Sequence, residues 1–102
     1  MSISKKVLKS KPVCKVTFKV GKEEANGAEK VQLLGDFNEW SHDAEPMEKL
    51  KNGTFTATLE LETGREYQFR YLVDGHTWLN EAEADKTVVS PFGDSSNSVL
   101  AL

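Results

Sequence analysis

The chain has little with which to build most kinds of protein machinery. Its one cysteine, Cys14, has no partner for an internal disulfide and no second ligand at a zinc-like spacing. A reducing, cytoplasmic setting is the default for such a chain. No apolar run reaches the roughly 18 residues of a membrane span. The opening MSISKKVLKS carries lysines with no apolar stretch behind them, which argues against a secretory signal. Positive charge is in deficit: 13 Lys and Arg stand against 16 Asp and Glu, a net −3. A dedicated nucleic-acid binder usually needs a strong basic patch, so that class is not expected. Catalytic signatures are missing as well, with no Gly-x-Ser-x-Gly elbow, Walker loop or His-Glu-x-x-His helix. His42 and His76 lie beside turn signals with no neighbouring ligand and read as exposed loop histidines. At 102 residues there is room for one domain, and none for a barrel enzyme of about 250 residues.

What is present is an ordinary globular composition, 38% hydrophobic and 28% charged. Residues 1–11 hold Lys5, Lys6, Lys9 and Lys11 among few apolar side chains and predict a flexible basic tail ended by Pro12. Four lysines are too few for a membrane-surface anchor. The domain proper is expected over residues 12–102. From Val13 the period is two: Cys14, Val16, Phe18 and Val20 point one way, and Lys15, Thr17 and Lys19 the other, as in a half-buried strand. A polar, glycine-containing loop over 21–30 leads to a second strand over 30–34. In the third, Phe55, Ala57, Leu59 and Leu61 alternate with threonines and Glu60, behind an Asn52-Gly53 turn. A fourth runs from Glu66 to Val73, and Asp74-Gly75 turns it into a short partner containing Trp78. Ser98–Leu102 is a last strand, and Leu79–Lys86 is either one helical turn or a loop. No segment keeps a 3.6-residue apolar period for three turns. Short strands separated by turns predict an all-β antiparallel sandwich.

Glu81, Glu83 and Asp85 form the one acidic cluster that suggests paired glycosidase carboxylates. A two-layer sandwich of this size offers no deep cleft for such a pair, so no catalytic residue, metal site or cofactor is expected. The aromatics are more telling. Phe18, Phe55, Tyr67, Phe69 and Tyr71 fall on strand faces and are expected in the core. Trp40 ends the bend Gly35-Asp-Phe-Asn-Glu-Trp40, and Trp78 lies just past a turn. Exposed indoles at strand ends are either partly packed or waiting for a ligand.

Together these segments carry a family resemblance. Val31-Gln-Leu-Leu-Gly-Asp-Phe-Asn-Glu-Trp40, Gly64-Arg-Glu-Tyr-Gln-Phe-Arg-Tyr-Leu-Val-Asp-Gly75, Trp78, and Pro91-Phe-Gly93 with Asn97 resemble the glycogen-binding domain. This is carbohydrate-binding module family 48, found in the β-subunits of AMP-activated protein kinase and at the N-termini of isoamylase and branching enzymes. The likeness runs from about Pro12 to Leu102. It implies an immunoglobulin-like sandwich of the early-set type and a non-catalytic module for α-1,4-glucans such as glycogen, starch and maltooligosaccharides. By the resemblance, Trp40 and Trp78 are the stacking tryptophans and Arg70 the basic residue of the strand before Val-Asp-Gly. Phe92 takes the place of the leucine that reaches into the sugar ring, and Asn97 that of the loop asparagine. Asp94 stands where the family has threonine. The implied partners are an α-glucan and a glucan-metabolising enzyme acting in trans, with neither nucleic acid nor membrane. The alternative is an immunoglobulin-like interaction module that keeps the fold and serves such an enzyme as a protein partner.

Overall fold

A computed structural model describes residues 1–10, 12–89 and 96–102. Its strands are β1 (Ser2–Val7), β2 (Val13–Val20), β3 (Val31–Gly35), β4 (Glu48–Lys49), β5 (Phe55–Glu62), β6 (Glu66–Val73), β7 (Thr77–Leu79), β8 (Lys86–Val89) and β9 (Ser96–Ala101). They form two antiparallel sheets, one ordered β1-β2-β5-β4 and the other β3-β6-β9-β8, with β7 also pairing on β6. The all-β antiparallel sandwich expected from the alternation is what the chain builds.

Its core follows the period of two. Cys14, Val16, Phe18 and Val20 are buried on β2, while Lys15 and Lys19 between them are exposed. The opposing sheet presents Tyr67, Phe69, Tyr71 and Val73 from β6 to the same core. Phe18 meets Phe69 edge-on at 5.4 Å between ring centroids, and Phe69 meets Tyr71 at 5.9 Å, the offset geometry that aromatic quadrupoles prefer. All five aromatics expected in the core are buried. Tyr71 would leave its hydroxyl unpaired there, and buried Glu81 accepts it at 2.6 Å. Burial first, and then the Glu81 carboxylate, push the Tyr71 phenol far above its ordinary value.

The lysine-rich start is not a frayed tail. Ser2–Val7 is an edge strand in register with β2 from Ser2↔Lys19 to Val7↔Cys14. Met1 and Ile3 pack against the core. Lys5 donates across the sandwich edge to Asp85 Oδ2 at 2.7 Å and to the Ala101 carbonyl at 3.2 Å. Two apolar side chains spaced two apart thus reach the core at this edge. Its lysines also discourage another chain from pairing there. Lys11 lies outside the described residues.

Two further elements escape the sequence pattern because they are too short to alternate. Glu48–Lys49 pairs with the start of β5, and Lys86–Val89 pairs with β9. The stretch Leu79–Lys86 holds no helix: its ends belong to β7 and β8, and residues 80–85 between them are a connection, with Ala84 N–H donating to Glu81 C=O at 3.4 Å.

Candidate functional site: a tryptophan platform on the outer sheet face

On β6, Phe69 and Tyr71 point into the core, so Gln68, Arg70 and Leu72 point outward. That outer face is not simply wet. Leu34, Leu72 and Val99 are buried there, yet none belongs to the main core. Residues 42–46 lie across its β3 side: Gln32 donates its amide to the carbonyls of His42 and Ala44, at 2.9 and 2.7 Å. Trp78 stands directly opposite Leu72 in register and therefore on this same face, diagonal to Arg70.

Trp40 arrives from the bend after β3. Asn38 acts there as a surrogate peptide: its Oδ1 accepts Gly35 N–H at 3.0 Å and its Nδ2 donates to Leu33 C=O at 2.8 Å. Phe37 turns inward toward Phe18 and Tyr67, at 6.2 and 6.3 Å between centroids. Glu39 and Trp40 both adopt positive φ, 57° and 56°, an uncommon conformation for side chains with a Cβ. Such backbone costs on the order of 1–3 kcal/mol per residue and concentrates at functional sites. Gly35 is required for closeness rather than for φ. A Cβ there would lie 2.6 Å from the Gln68 carbonyl oxygen and 2.8 Å from Phe69 Cβ.

The two indoles meet with centroids 6.5 Å apart and planes tilted by 58°. Trp78 is 39% exposed and Trp40 half-buried. The Arg70 guanidinium lies 5.8 Å from the Trp78 ring centroid, within cation–π range. A polar chain connects Trp40 to Arg70. Trp40 Nε1–H donates to Asp36 Oδ1 at 3.1 Å, and Asp36 Oδ2 accepts the backbone N–H of Gln68 at 2.8 Å. The Gln68 side-chain oxygen accepts from Asn97 Nδ2 at 3.0 Å, and Asn97 Oδ1 accepts Arg70 Nε–H at 2.5 Å.

Of the five site residues expected from the sequence, Trp40, Arg70, Trp78 and Asn97 come together on this face. Phe92 lies outside the described residues, as does Asp94. Asn97 is only 6% exposed, and both ends of its amide are engaged by protein. It holds Arg70 rather than lining the surface. Three participants were not singled out from the sequence. Asp36 and Gln68 are polar residues within the recognised segments, and their spacing carries no signal of their own. His42, read as an exposed loop histidine, is exposed but stands edge-on to Trp78 at 5.8 Å. The other histidine, His76, pairs with Thr77 Oγ1 at 2.9 Å.

The acidic trio does not converge. Glu81 is buried against Tyr71 and Asp85 is paired with Lys5. Among the described residues no three His, Cys, Asp or Glu side chains gather as metal ligands would.

No curated protein matches this sequence. A family model described as the glycogen recognition site of AMP-activated protein kinase matches residues 23–100. That span contains the Gly35–Trp40 bend, Arg70, the turn into Trp78, and Asn97. Platform and family match therefore coincide along most of the chain, which belongs to the family of the glycogen recognition site of AMP-activated protein kinase, a carbohydrate-binding module family.

Proposed function

We propose that the chain is a non-catalytic module that holds α-1,4-linked glucans by stacking glucose rings on Trp40 and Trp78. The observation that carries this reading is the pair of accessible indoles, 6.5 Å apart and tilted by 58°, beside the Arg70 guanidinium. A glucose ring has an apolar face of axial C–H groups and a rim of hydroxyls. Flat indoles complement the face, at ~0.5–1.5 kcal/mol each beyond area burial, by analogy with aromatic pairs. Two planes set at an angle suit a chain that curves, as an α-1,4-glucan does, better than the flat ribbon of a β-1,4-glucan. Arg70 spends its Nε–H on Asn97 and keeps its terminal N–H donors for sugar hydroxyls. Asn97 then acts on the ligand through Arg70, while the role of Phe92 rests on the family resemblance.

Family membership supports a glycogen-type polysaccharide as the ligand. Glu81 is taken up by Tyr71 and Asp85 by Lys5, which supports holding rather than cleaving it. In the cytoplasm, such a module would tether a glucan-metabolising enzyme's substrate beside it.

Two stacked rings and a few rim hydrogen bonds, less the ordering costs, leave about −4 to −7 kcal/mol, a Kd of roughly 1 mM to 10 µM. Titration with maltoheptaose or β-cyclodextrin is expected to change tryptophan fluorescence in that range. Cello-oligosaccharides are expected to leave it unchanged. Unaltered fluorescence with millimolar α-glucan would overturn the proposal, as would retention of the protein on cellulose. Incubation with glycogen is expected to release no reducing ends; sustained release that tracks the protein would make it an enzyme.

A further inference from the structure

A cavity lies away from the tryptophans, between the 21–30 loop and the β4–β5 hairpin. It encloses about 380 Å³ and is lined by Lys22, Gly27, Ala28, Lys49, Leu50, Lys51, Asn52, Gly53 and Phe55. No platform residue takes part in its wall. Three lysines and no carboxylate line it, in a chain whose acids outnumber its bases, 16 to 13. Among the described residues none of the three lysines forms an ion pair, whereas Lys5, Arg65 and Lys86 do.

Two of the three are also held in place. Lys49 donates to the Ala28 carbonyl at 3.4 Å, and its ammonium lies 5.5 Å from the Phe55 ring centroid. The stem of Lys22 packs over the hairpin turn. A Cβ on Gly53, whose φ is +88°, would fall 2.8 Å from Lys22 Cδ, so the missing side chain makes room for that stem. Three like charges around one concavity repel one another until an anion enters. The volume lies at the small end of ligand sites, and the Ala28, Leu50 and Phe55 side chains give it an apolar wall. Asn52 turns its Oδ1 to Thr54 N–H at 3.0 Å, which keeps its amide donors available.

We propose that this cavity is an anion site for a phosphate dianion, either free or as the phosphomonoester of a small, sugar-sized molecule. Lysine ammoniums suit phosphate as point charges. The site is independent of the glucan platform and stands or falls apart from it.

The test is an amide chemical-shift titration of the full chain at fixed ionic strength, with inorganic phosphate, glucose 6-phosphate and glucose as separate ligands. Saturable shifts are expected at Lys22, Gly27 and Lys49–Gly53 with both phosphates, and none with glucose. Tighter binding of glucose 6-phosphate would assign the site to an ester, and equal binding to the free anion. Lys49→Gln and Lys51→Gln are each expected to weaken phosphate binding at least threefold with folding intact, because both side chains are exposed. Their β-cyclodextrin affinity should not change. Raising salt from about 0.05 to 0.5 M is expected to weaken binding further by screening. Non-saturating shifts spread over every lysine, or folded variants that bind phosphate as the parent does, would overturn the proposal.

Discussion

Asp36 and Trp40 are joined by a hydrogen bond of 3.1 Å from the indole N–H to Oδ1, while the other carboxylate oxygen of Asp36 takes the Gln68 N–H at 2.8 Å. One side chain therefore sets both the ring that leaves the bend and the strand that carries Arg70. The orientation of the platform depends on this residue even though it presents no flat surface to a sugar.

Asp36→Ala is accordingly expected to loosen Trp40 without unfolding the domain. Losing two hydrogen bonds on an exposed side chain costs about 1–2 kcal/mol. Glucan affinity should fall roughly three- to tenfold, a loss of 0.6–1.4 kcal/mol. Thermal melting with a β-cyclodextrin titration measures both. Unchanged affinity in the folded variant would show that Trp40 needs no anchor.

Trp78→Ala and Phe69→Ala should separate platform from scaffold. Phe69 is fully buried, and a Phe→Ala change in a core costs ~3–5 kcal/mol, enough to unfold much of a domain whose total stability is about 5–15 kcal/mol. Trp78 is 39% exposed, so its truncation should lower the melting temperature little while weakening glucan binding at least tenfold, about 1.4 kcal/mol. If Trp78→Ala melts like Phe69→Ala, the indole is structural.

Gly35→Ala tests the bend from below. The added methyl would meet a backbone oxygen at 2.6 Å and Phe37 Cζ at 2.9 Å. β3 must then draw away from β6, and Phe37 must shift from its place beside Phe18. A loss of about 1–3 kcal/mol is expected, as for overpacking, together with weaker glucan binding as Trp40 shifts with Phe37. Melting and binding both equal to the parent would show that the bend relaxes freely.

Removal of residues 1–10 should destabilise the domain, since it deletes the β1 strand and its Lys5–Asp85 pair. A drop in melting temperature beyond about 4–8 °C, the equivalent of 1 kcal/mol in a domain of this size, is expected. Unaltered melting would mean that β1 adds nothing.

The same pair gives an acid dependence. Burial would raise the Asp85 carboxyl, but the Lys5 ammonium and the Ala101 N–H outweigh it and hold it below its usual value. A depressed folded pKa adds stability above the unfolded value of about 3.9, and that stability is lost as pH falls through the lower folded value. Lys5→Ala should melt below the parent near neutral pH, with the gap closing in acid. A gap that stays constant down to about pH 2 would contradict this assignment.

The sandwich was legible because half-buried strands alternate. Cys14–Val20, Phe55–Leu61 and Tyr67–Val73 each display their inward face in the sequence alone, and Asp74-Gly75 marks its turn through positive φ at both residues. The platform tryptophans were legible as aromatics beside turn residues, within segments that resemble a known family. β1 was not, because its signal is only Met1 and Ile3 amid lysines, and whether two side chains reach a core depends on the sheet beside them. The same limit hid His42, Asp36 and Gln68. Their partners lie across strands or around the bend, and the residue types alone do not say which polar groups will meet. Local periodicity and turn chemistry are written in the order of residues, so the sequence by itself determined the longer alternating strands, their inward faces and the two indoles. Register and the crossing of loops over the outer face are properties of the folded sheets. Only the tertiary structure decided that Asn97 holds Arg70 from a buried position, and that three lysines from two separate segments open onto one cavity.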